Sequence, residues 1–237
     1  MDLTENSPEE YCRRIENYLC RKNDGHLVRI VGPAFEQVSG WAARGVPLKV
    51  AFHGIDRYFE RYYAKGPRRR PIRIEFCEAD VLDVFDEWRR AVGVPAVDAA
   101  VNGESGETAS RHGSLPAHLD RVIARLTTLR GGADRSLDDL LDRVVSELDA
   151  ARARAKALRG EARKVFLDRL AEIDRLLLET VRINSDRGTL EELQAEADTE
   201  LASFRARMTP DAYERARGAC VDRLIRERGR LPVVRFE

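Results

Sequence analysis

The chain has 237 residues, of which 43% are hydrophobic and 35% are charged, and its 41 basic and 41 acidic residues cancel. A chain of this length can bury a hydrophobic core without disulfides or a structural metal, and its zero net charge excludes the long-range attraction to polyanions that strongly basic proteins have. It contains no apolar run long enough to span a membrane and no export signal in residues 1–10, so we expect a cytoplasmic protein without membrane contact.

The first helix is predicted by a capping box, Ser7-Pro8-Glu9-Glu10, in which the serine hydroxyl accepts a hydrogen bond from the glutamate amide. This helix should end near Asn23-Asp24-Gly25, because these residue types tolerate left-handed backbone geometry. The β-branched segment 27–31, which Gly32 and Pro33 follow, predicts a short strand.

Two further helices and a second strand are predicted next. Pro33 suits the first turn of a helix that ends at Gly45, and Pro47 begins a third helix that ends near residue 66. Residues 72–76 alternate between apolar and charged, as a half-buried strand does, and a fourth helix should run from about residue 79 to Gly93. The apolar stripe of the third helix consists of Leu48, Phe52, Ile55, Phe59 and Tyr62.

Beyond residue 115 every pattern is helical. Apolar residues alternate at spacings of four and three for three heptads, which predicts a coiled-coil seam. At Gly160 this helix either bends or folds back, and later helices should begin at Thr189 and Thr209. Residues 231–237 are apolar enough to pack on their own bundle, to extend a strand or to lie in the groove of a partner. The seam consists of Leu137, Leu141, Val144, Leu148, Ala151, Ala155 and Leu158.

We therefore predict a mainly α-helical protein with two domains. Residues 1–93 form a helical domain with a short β-element, and its order of elements is compatible with a winged helix. Residues 94–115 are small and polar, so they form a flexible linker. Residues 116–237 form a helical, coiled-coil-like bundle for interaction or oligomerisation.

Charge is separated locally within the first domain, although the total is zero. Residues 49–73 contain eight basic and two acidic residues, whereas residues 75–88 contain six acidic residues and no basic residue. Along the third helix the basic side chains recur at every fourth position, so they share one face. Together with the loop that follows, this basic ridge consists of Lys49, His53, Arg57, Arg61, Lys65, Arg68, Arg69 and Arg70.

The charge pattern leads to two functional hypotheses. In the first, the protein is a non-catalytic, nucleic-acid-associated binding protein: the basic ridge contacts DNA phosphates, His53 approaches a base edge, and the C-terminal helices recruit a protein partner or form a homodimer. In the second, the acidic segment 75–88 neutralises the ridge within the same molecule. The protein is then a protein–protein adaptor or scaffold with no nucleic-acid contact.

One short segment resembles a known group of proteins. Residues 41–47, Trp-Ala-Ala-Arg-Gly-Val-Pro, are similar to the primosome and replication-initiation domains of bacterial phages in their order of helix, tryptophan and Gly-Val-Pro turn. The tyrosine-to-Ile-Leu hallmark of those domains is missing, and residues 58–62 do not supply it. The resemblance therefore implies a bacterial replication setting and assigns no family.

The sequence contains none of the common catalytic motifs. It lacks a glycine-rich phosphate-binding loop, a nucleophile elbow and a His-Glu-x-x-His sequence, so we predict that the protein is not an enzyme and needs no cofactor. Asp80, Asp83 and Asp86 lack the glycine and terminal glutamate of a calcium loop. The cysteines lack zinc-ligand spacing and are predicted to be free thiols without a metal: Cys12, Cys20, Cys77 and Cys220.

Overall fold

The computed structural model describes residues 7–64, 66, 71–94, 114–129 and 135–236. Within these ranges the regular structure consists of nine α-helices and one 3-10 turn, Ile74–Cys77, and contains no strand. None of these helices combines the length and the apolar composition that a bilayer span requires. The α-helices are α1 (Pro8–Lys22), α2 (Pro33–Ala43), α3 (Leu48–Tyr63), α4 (Glu78–Val92), α5 (Leu115–Thr128), α6 (Arg135–Ala155), α7 (Gly160–Asn184), α8 (Arg187–Arg205) and α9 (Pro210–Gly229).

The start and end of α1 are set by local chemistry, as the sequence predicts. The Ser7 hydroxyl accepts a hydrogen bond from the Glu10 amide at 3.2 Å, which satisfies an amide that lacks a helical partner. The helix ends where Asp24 and Gly25 adopt positive φ angles of 56° and 82°.

The strand predicted at residues 27–31 is wrong. The segment has no regular structure, and its backbone groups bond to side chains of α1 rather than to a second strand. The Val28 amide lies 3.3 Å from the Cys20 sulfur, and the Ile30 amide donates to a Glu16 carboxylate oxygen at 2.8 Å. These side chains satisfy groups that would otherwise need a sheet.

The strand predicted at residues 72–76 is also wrong, for the same kind of reason. The Asn23 side chain accepts from the Ile72 amide at 2.8 Å and donates to the Ile72 carbonyl at 2.9 Å. The chain then turns into the 3-10 segment Ile74–Cys77. No β-element is present in the described residues, so the winged-helix prediction is not supported.

The chain divides into two compact units, and each contains two separate stretches of sequence. Unit 1 comprises residues 1–103 and 198–219, and unit 2 comprises residues 104–197 and 220–237. The division points fall inside α8 and α9, so each of these helices contributes to both units. The predicted linker, 94–115, lies almost entirely outside the described residues.

The core of unit 1 joins α1–α4 to residues 198–219. Trp41 of α2 and Ile55 of α3 are fully buried within it. Phe204 packs on Trp88 of α4, with their ring centres 5.8 Å apart. The Trp88 indole nitrogen donates to Glu200 at 3.0 Å, which places the polar end of a buried aromatic side chain on a carboxylate.

The core of unit 2 is a helical bundle. The long helix is broken, because α6 ends at Ala155 and α7 begins at Gly160 with a φ of 52°. An ion pair between Glu147 and Arg169, at 2.7 Å, joins α6 to α7 as antiparallel neighbours. The chain thus folds back rather than bending.

The coiled-coil prediction is not supported in detail. The predicted seam residues of α6 are buried, apart from the half-buried Leu137, but the core of this unit draws on several helices rather than on a two-helix seam. A four-three spacing buries one face of a helix in either arrangement, so the spacing alone does not distinguish them. The central side chains of this core are Leu119, Leu126, Leu141, Leu148, Leu170, Ile173 and Leu177.

The C-terminal segment packs on its own bundle, which was one of three predicted alternatives. Val234 is fully buried, and its amide donates to an Asp174 carboxylate oxygen at 2.7 Å. Its carbonyl lies 3.0 Å from the His118 ring nitrogen Nε2. Asp174 also accepts from Arg226 at 2.7 Å, so one buried carboxylate joins α7, α9 and the C-terminal segment.

Candidate functional site on helices α3 and α4

Helix α3 places part of the basic ridge on its solvent side. The opposite side is buried through Ala51, Ile55 and Phe59. Since side chains three or four positions apart share a helix face, the basic side chains at every fourth position stay outside this buried side. The exposed ridge residues of α3 are Lys49, His53, Arg57 and Arg61.

Lys65, Arg68, Arg69 and Arg70 lie outside the described residues. Their predicted role in phosphate contact therefore stays a prediction, as does the approach of His53 to a base edge.

Helix α4 lies very close to α3 because of a glycine. A Cβ atom added to Gly54 would lie 2.4 Å from the Val81 Cα and 2.7 Å from its Cγ2. Only a residue without a side chain permits this distance, so Gly54 brings the acidic helix α4 directly beside the ridge.

Two ridge arginines form ion pairs with α4. Arg57 donates to Glu87 at 2.9 Å, and its Nε lies 3.9 Å from Asp80. Arg61 donates to the other Asp80 oxygen at 2.5 Å. The hydrogen bond to Glu87 raises the pKa of the Arg57 guanidinium. Asp80 is buried, so its charge faces these arginines rather than solvent.

Asp56, an acidic residue of α3, contacts side chains of α1 rather than the ridge arginines. Asp56 accepts hydrogen bonds from the Tyr18 hydroxyl at 2.7 and 2.8 Å and lies 2.7 Å from the Lys22 ammonium. The Tyr18 ring stacks on Phe52 at 4.1 Å. These contacts join α1 to α3. Asp56 is therefore engaged by α1, and the carboxylate partners of Arg57 and Arg61 lie on α4.

An aromatic cluster at the C-terminal end of α3 is not predicted by the sequence patterns. Tyr58 stacks on Tyr62 at 5.8 Å and on Phe76 at 6.5 Å, and the Arg61 guanidinium lies 5.5 Å from the centre of the Tyr58 ring. The Phe76 side chain is 59% exposed. The four-residue spacing of Tyr58 and Tyr62 places these two rings side by side on the helix, whereas the alternating pattern of residues 72–76 predicts a strand and gives no contact between Phe76 and α3.

The described residues contain no group of three histidine, cysteine, aspartate or glutamate side chains arranged to hold a metal ion. Asp80, one of the three aspartates that lack a calcium-loop pattern, pairs with Arg61. All four cysteines are free, and burial raises the pKa of the Cys77 thiol to about 12.

The chain matches no protein-family model, and no curated protein and no solved structure is significantly similar to it.

Proposed function

We propose that the protein is a non-catalytic protein-binding scaffold in which the charges of α3 and α4 stabilise the fold and the C-terminal helices bind protein. The observation that carries this proposal is the pairing of Arg57 and Arg61 with Asp80 and Glu87. DNA binding through the ridge requires guanidinium groups that are available to phosphates. Here both groups already face carboxylates of the same chain.

Further acidic residues on α4 oppose a polyanion at this surface. Glu78 and Asp83 are exposed on the helix that packs beside α3, and so is Asp86, which pairs with Arg89 of the same helix. Repulsion between exposed charges extends over about 10 Å at 0.1 M salt, which is the range in which a phosphate backbone would meet the ridge. A partner of mixed charge, such as a protein surface, suits this face better than duplex DNA.

The best candidate surface for a protein partner is the exposed face of α7. Val165 and Ile183 are 60% and 72% exposed, and Leu176 lies between them on the same helix. The spacing from 165 to 183 corresponds to about five helical turns, so both residues point in the same direction. Aligned apolar side chains of this kind favour contact with another helix.

A second copy of the chain is the occupant that fits this face. In an antiparallel pairing about a twofold axis near residue 174, Val165 lies opposite Ile183 of the other copy, and Arg169 lies opposite Glu179. Arg169 already pairs with Glu147 and Glu172 of its own chain. The pairing of two copies therefore depends on the exposed apolar side chains of Val165, Leu176 and Ile183, and Glu179 adds only a compatible charge.

Sedimentation equilibrium of the purified chain tests this proposal. We expect a mass of two chains at high protein concentration. An Ile183→Asp variant should dissociate at least about tenfold more easily, because burial of one such side chain contributes about 1.5–3 kcal/mol and the twofold interface contains it twice. Leu27→Asp is the matched control, since Leu27 is an equally exposed apolar residue of unit 1. A wild-type monomer, or an Ile183→Asp variant that associates like wild type, would contradict the proposal.

A second candidate function, binding of single-stranded nucleic acid, is favoured by the aromatic cluster. Phe76 is exposed and stacked on Tyr58, and Arg61 lies over the Tyr58 ring. Exposed aromatic rings beside arginine are typical of surfaces on which bases stack. In this proposal the basic loop residues Lys65 and Arg68–Arg70 contact the phosphates that follow the stacked base.

Fluorescence anisotropy with single-stranded and duplex oligonucleotides distinguishes the two functions. If the second function is correct, Phe76→Ala lowers the affinity for a single strand about tenfold, since stacking contributes about 1–3 kcal/mol per base. Alanine variants of Arg57 and Arg61 then reduce the salt dependence of binding. Absence of binding at low salt would refute this second function, whereas specific binding would refute a scaffold without nucleic-acid contact.

A further inference from the structure

A cleft of about 670 Å³ in unit 2 is lined by four arginines, and no part of the proposed scaffold function uses it. It lies between the end of α5, the end of α9 and the segment that follows α9. We call it the arginine cleft. Its charged lining residues are Arg125, Arg223, Arg226, Arg230 and Glu227.

The charges of the arginine cleft are only partly compensated. Arg226 pairs with the buried Asp174, and Arg223 pairs with Glu227. Arg125 and Arg230 form no ion pair with any residue in the described ranges. Two positive charges therefore remain on the walls of the cleft.

Backbone geometry fixes the position of one of these arginines. Arg230 adopts a φ of 52°, in the left-handed region that favours glycine. It occupies the position directly after α9, where the Leu231 amide bonds back to the Arg226 carbonyl at 2.9 Å. Glycine is the common residue at such a helix end, so the backbone of an arginine at this position is strained. Arg230 is one of the residues that line the cleft.

The wall near Arg226 is held rigidly. The Arg226 guanidinium donates to both Asp174 oxygens, at 2.7 and 3.2 Å, and to the Pro232 carbonyl at 3.3 Å. Asp174 is only 5% exposed and also accepts from the Val234 amide. A preorganised wall of this kind lowers the entropic cost of binding a ligand.

The cleft is larger than an inorganic anion requires. Its volume lies within the range of about 300–1,000 Å³ that small organic ligands occupy. Leu129, Leu231 and Val233 supply an apolar lining. A second cavity of about 530 Å³ also contains Arg125 and Val233, and it adds Arg121 to the basic lining.

From this arrangement we propose that the arginine cleft binds a small organic phosphate monoester. Such a group carries about −1.5 to −2 charges at neutral pH, which matches the two uncompensated arginines. Arginine forks bind phosphate oxygens in pairs, so Arg125 and Arg230 hold the phosphate. The organic part then packs against Leu129, Leu231 and Val233.

Isothermal titration calorimetry with phenyl phosphate tests the proposal, with inorganic phosphate and phenol as partial ligands. We expect phenyl phosphate to bind at least about tenfold more tightly than either partial ligand, because only phenyl phosphate uses both walls. The Arg125→Ala/Arg230→Ala double variant should lose about tenfold or more in affinity. Arg187→Ala is the matched control, since Arg187 is an exposed arginine of the same unit outside the cleft, and its affinity should equal that of wild type.

An Arg230→Gly variant separates ligand binding from folding. Glycine relieves the strain of the positive φ, so this variant should melt at a higher temperature than wild type and still bind phenyl phosphate more weakly. Equal affinity of wild type and the double variant, or no measurable binding, would overturn the proposal. A phosphotyrosine peptide or an oligonucleotide that binds more than about tenfold tighter than phenyl phosphate would also overturn it, because the ligand would then be a macromolecule.

Discussion

Replacement of Gly54 by alanine tests the close contact between α3 and α4. The added Cβ would lie 2.4, 2.7 and 2.8 Å from the Val81 Cα, Cγ2 and backbone nitrogen. Two of these three atoms belong to the backbone, so a side-chain rotation cannot relieve the clash. The two helices must move apart, which also stretches the ion pair between Arg61 and Asp80.

Two opposing effects determine the size of the change. Alanine in place of glycine stabilises a helix by about 1 kcal/mol. Overpacking a close contact costs about 1–3 kcal/mol and occasionally more. Because rigid backbone atoms cause the clash, we place its cost at the upper end, about 3 kcal/mol. After the gain of about 1 kcal/mol, Gly54→Ala should lower the free energy of unfolding by about 2 kcal/mol, which corresponds to about 2–4 °C in melting temperature per kcal/mol.

Gly218→Ala is the matched control for this prediction. Gly218 lies inside α9 within unit 1, and an added Cβ there meets no atom within 4 Å. It should therefore stabilise the protein by up to about 1 kcal/mol. Both tryptophans, Trp41 and Trp88, are buried in unit 1, so urea unfolding followed by their fluorescence reports on this unit. If both variants change stability in the same direction, the close contact between α3 and α4 is wrong.

Three further predictions concern buried polar groups. Asn23→Ala leaves the buried Ile72 amide and carbonyl without partners, so it should cost about 1–3 kcal/mol for each group, measured by tryptophan fluorescence in urea. Asp174→Asn removes the charge that Arg226 faces and should cost about 3–5 kcal/mol, measured by circular dichroism in urea. Burial raises the pKa of the Cys77 thiol from 9.0 to about 12, so the folded state keeps a proton that the unfolded state loses in this range. The free energy of unfolding should therefore fall as the pH rises from 9 towards 12, and Cys77→Ala should reduce that slope.

Exposed counterparts serve as controls for the first two of these predictions. Asn184 donates to Ser136 on the surface, so Asn184→Ala should change stability by less than about 0.5 kcal/mol. Glu191→Gln removes an exposed ion pair with Arg187 and should likewise have an effect of less than about 1 kcal/mol. Equal losses in a buried variant and its control would show that burial does not determine the effect. If Cys77→Ala leaves the pH dependence of the free energy of unfolding unchanged, that dependence does not come from the Cys77 thiol.

Local chemistry explains what the sequence predicts well. Ser7 begins α1 and Pro33 lies in the first turn of α2, because caps and fixed φ angles act within a few residues. Helix ends at Gly45 and Gly93 follow from the positive φ that glycine permits.

Distant side chains explain what the sequence does not predict. Segments 27–31 and 72–76 have strand-like composition, but Glu16 of α1 and Asn23, which directly follows α1, bond to their backbone groups. An alternating pattern predicts an extended, half-buried chain and does not specify its hydrogen-bond partners.

The same distinction between local patterns and distant contacts applies to the candidate sites. The periodicity of α3 predicts which basic side chains lie on its exposed side, but the identity of their acidic partners depends on the packing of α4. The arginine cleft combines Arg125 with residues about a hundred positions later, and no local spacing indicates that contact.

Each unit combines an early and a late part of the sequence, and this affects how the protein folds while it is being synthesised. While the ribosome is producing the middle of the chain, helices α1–α4 are already made, but Phe204 and Glu200 are not there to cover Trp88. Bacterial and eukaryotic ribosomes add about 5–20 residues per second, so this delay of roughly a hundred residues lasts about 5–20 seconds. During that interval Trp88 lacks two of the side chains that contact it in the folded protein, so unit 1 cannot complete its core until residues 198–219 have been synthesised.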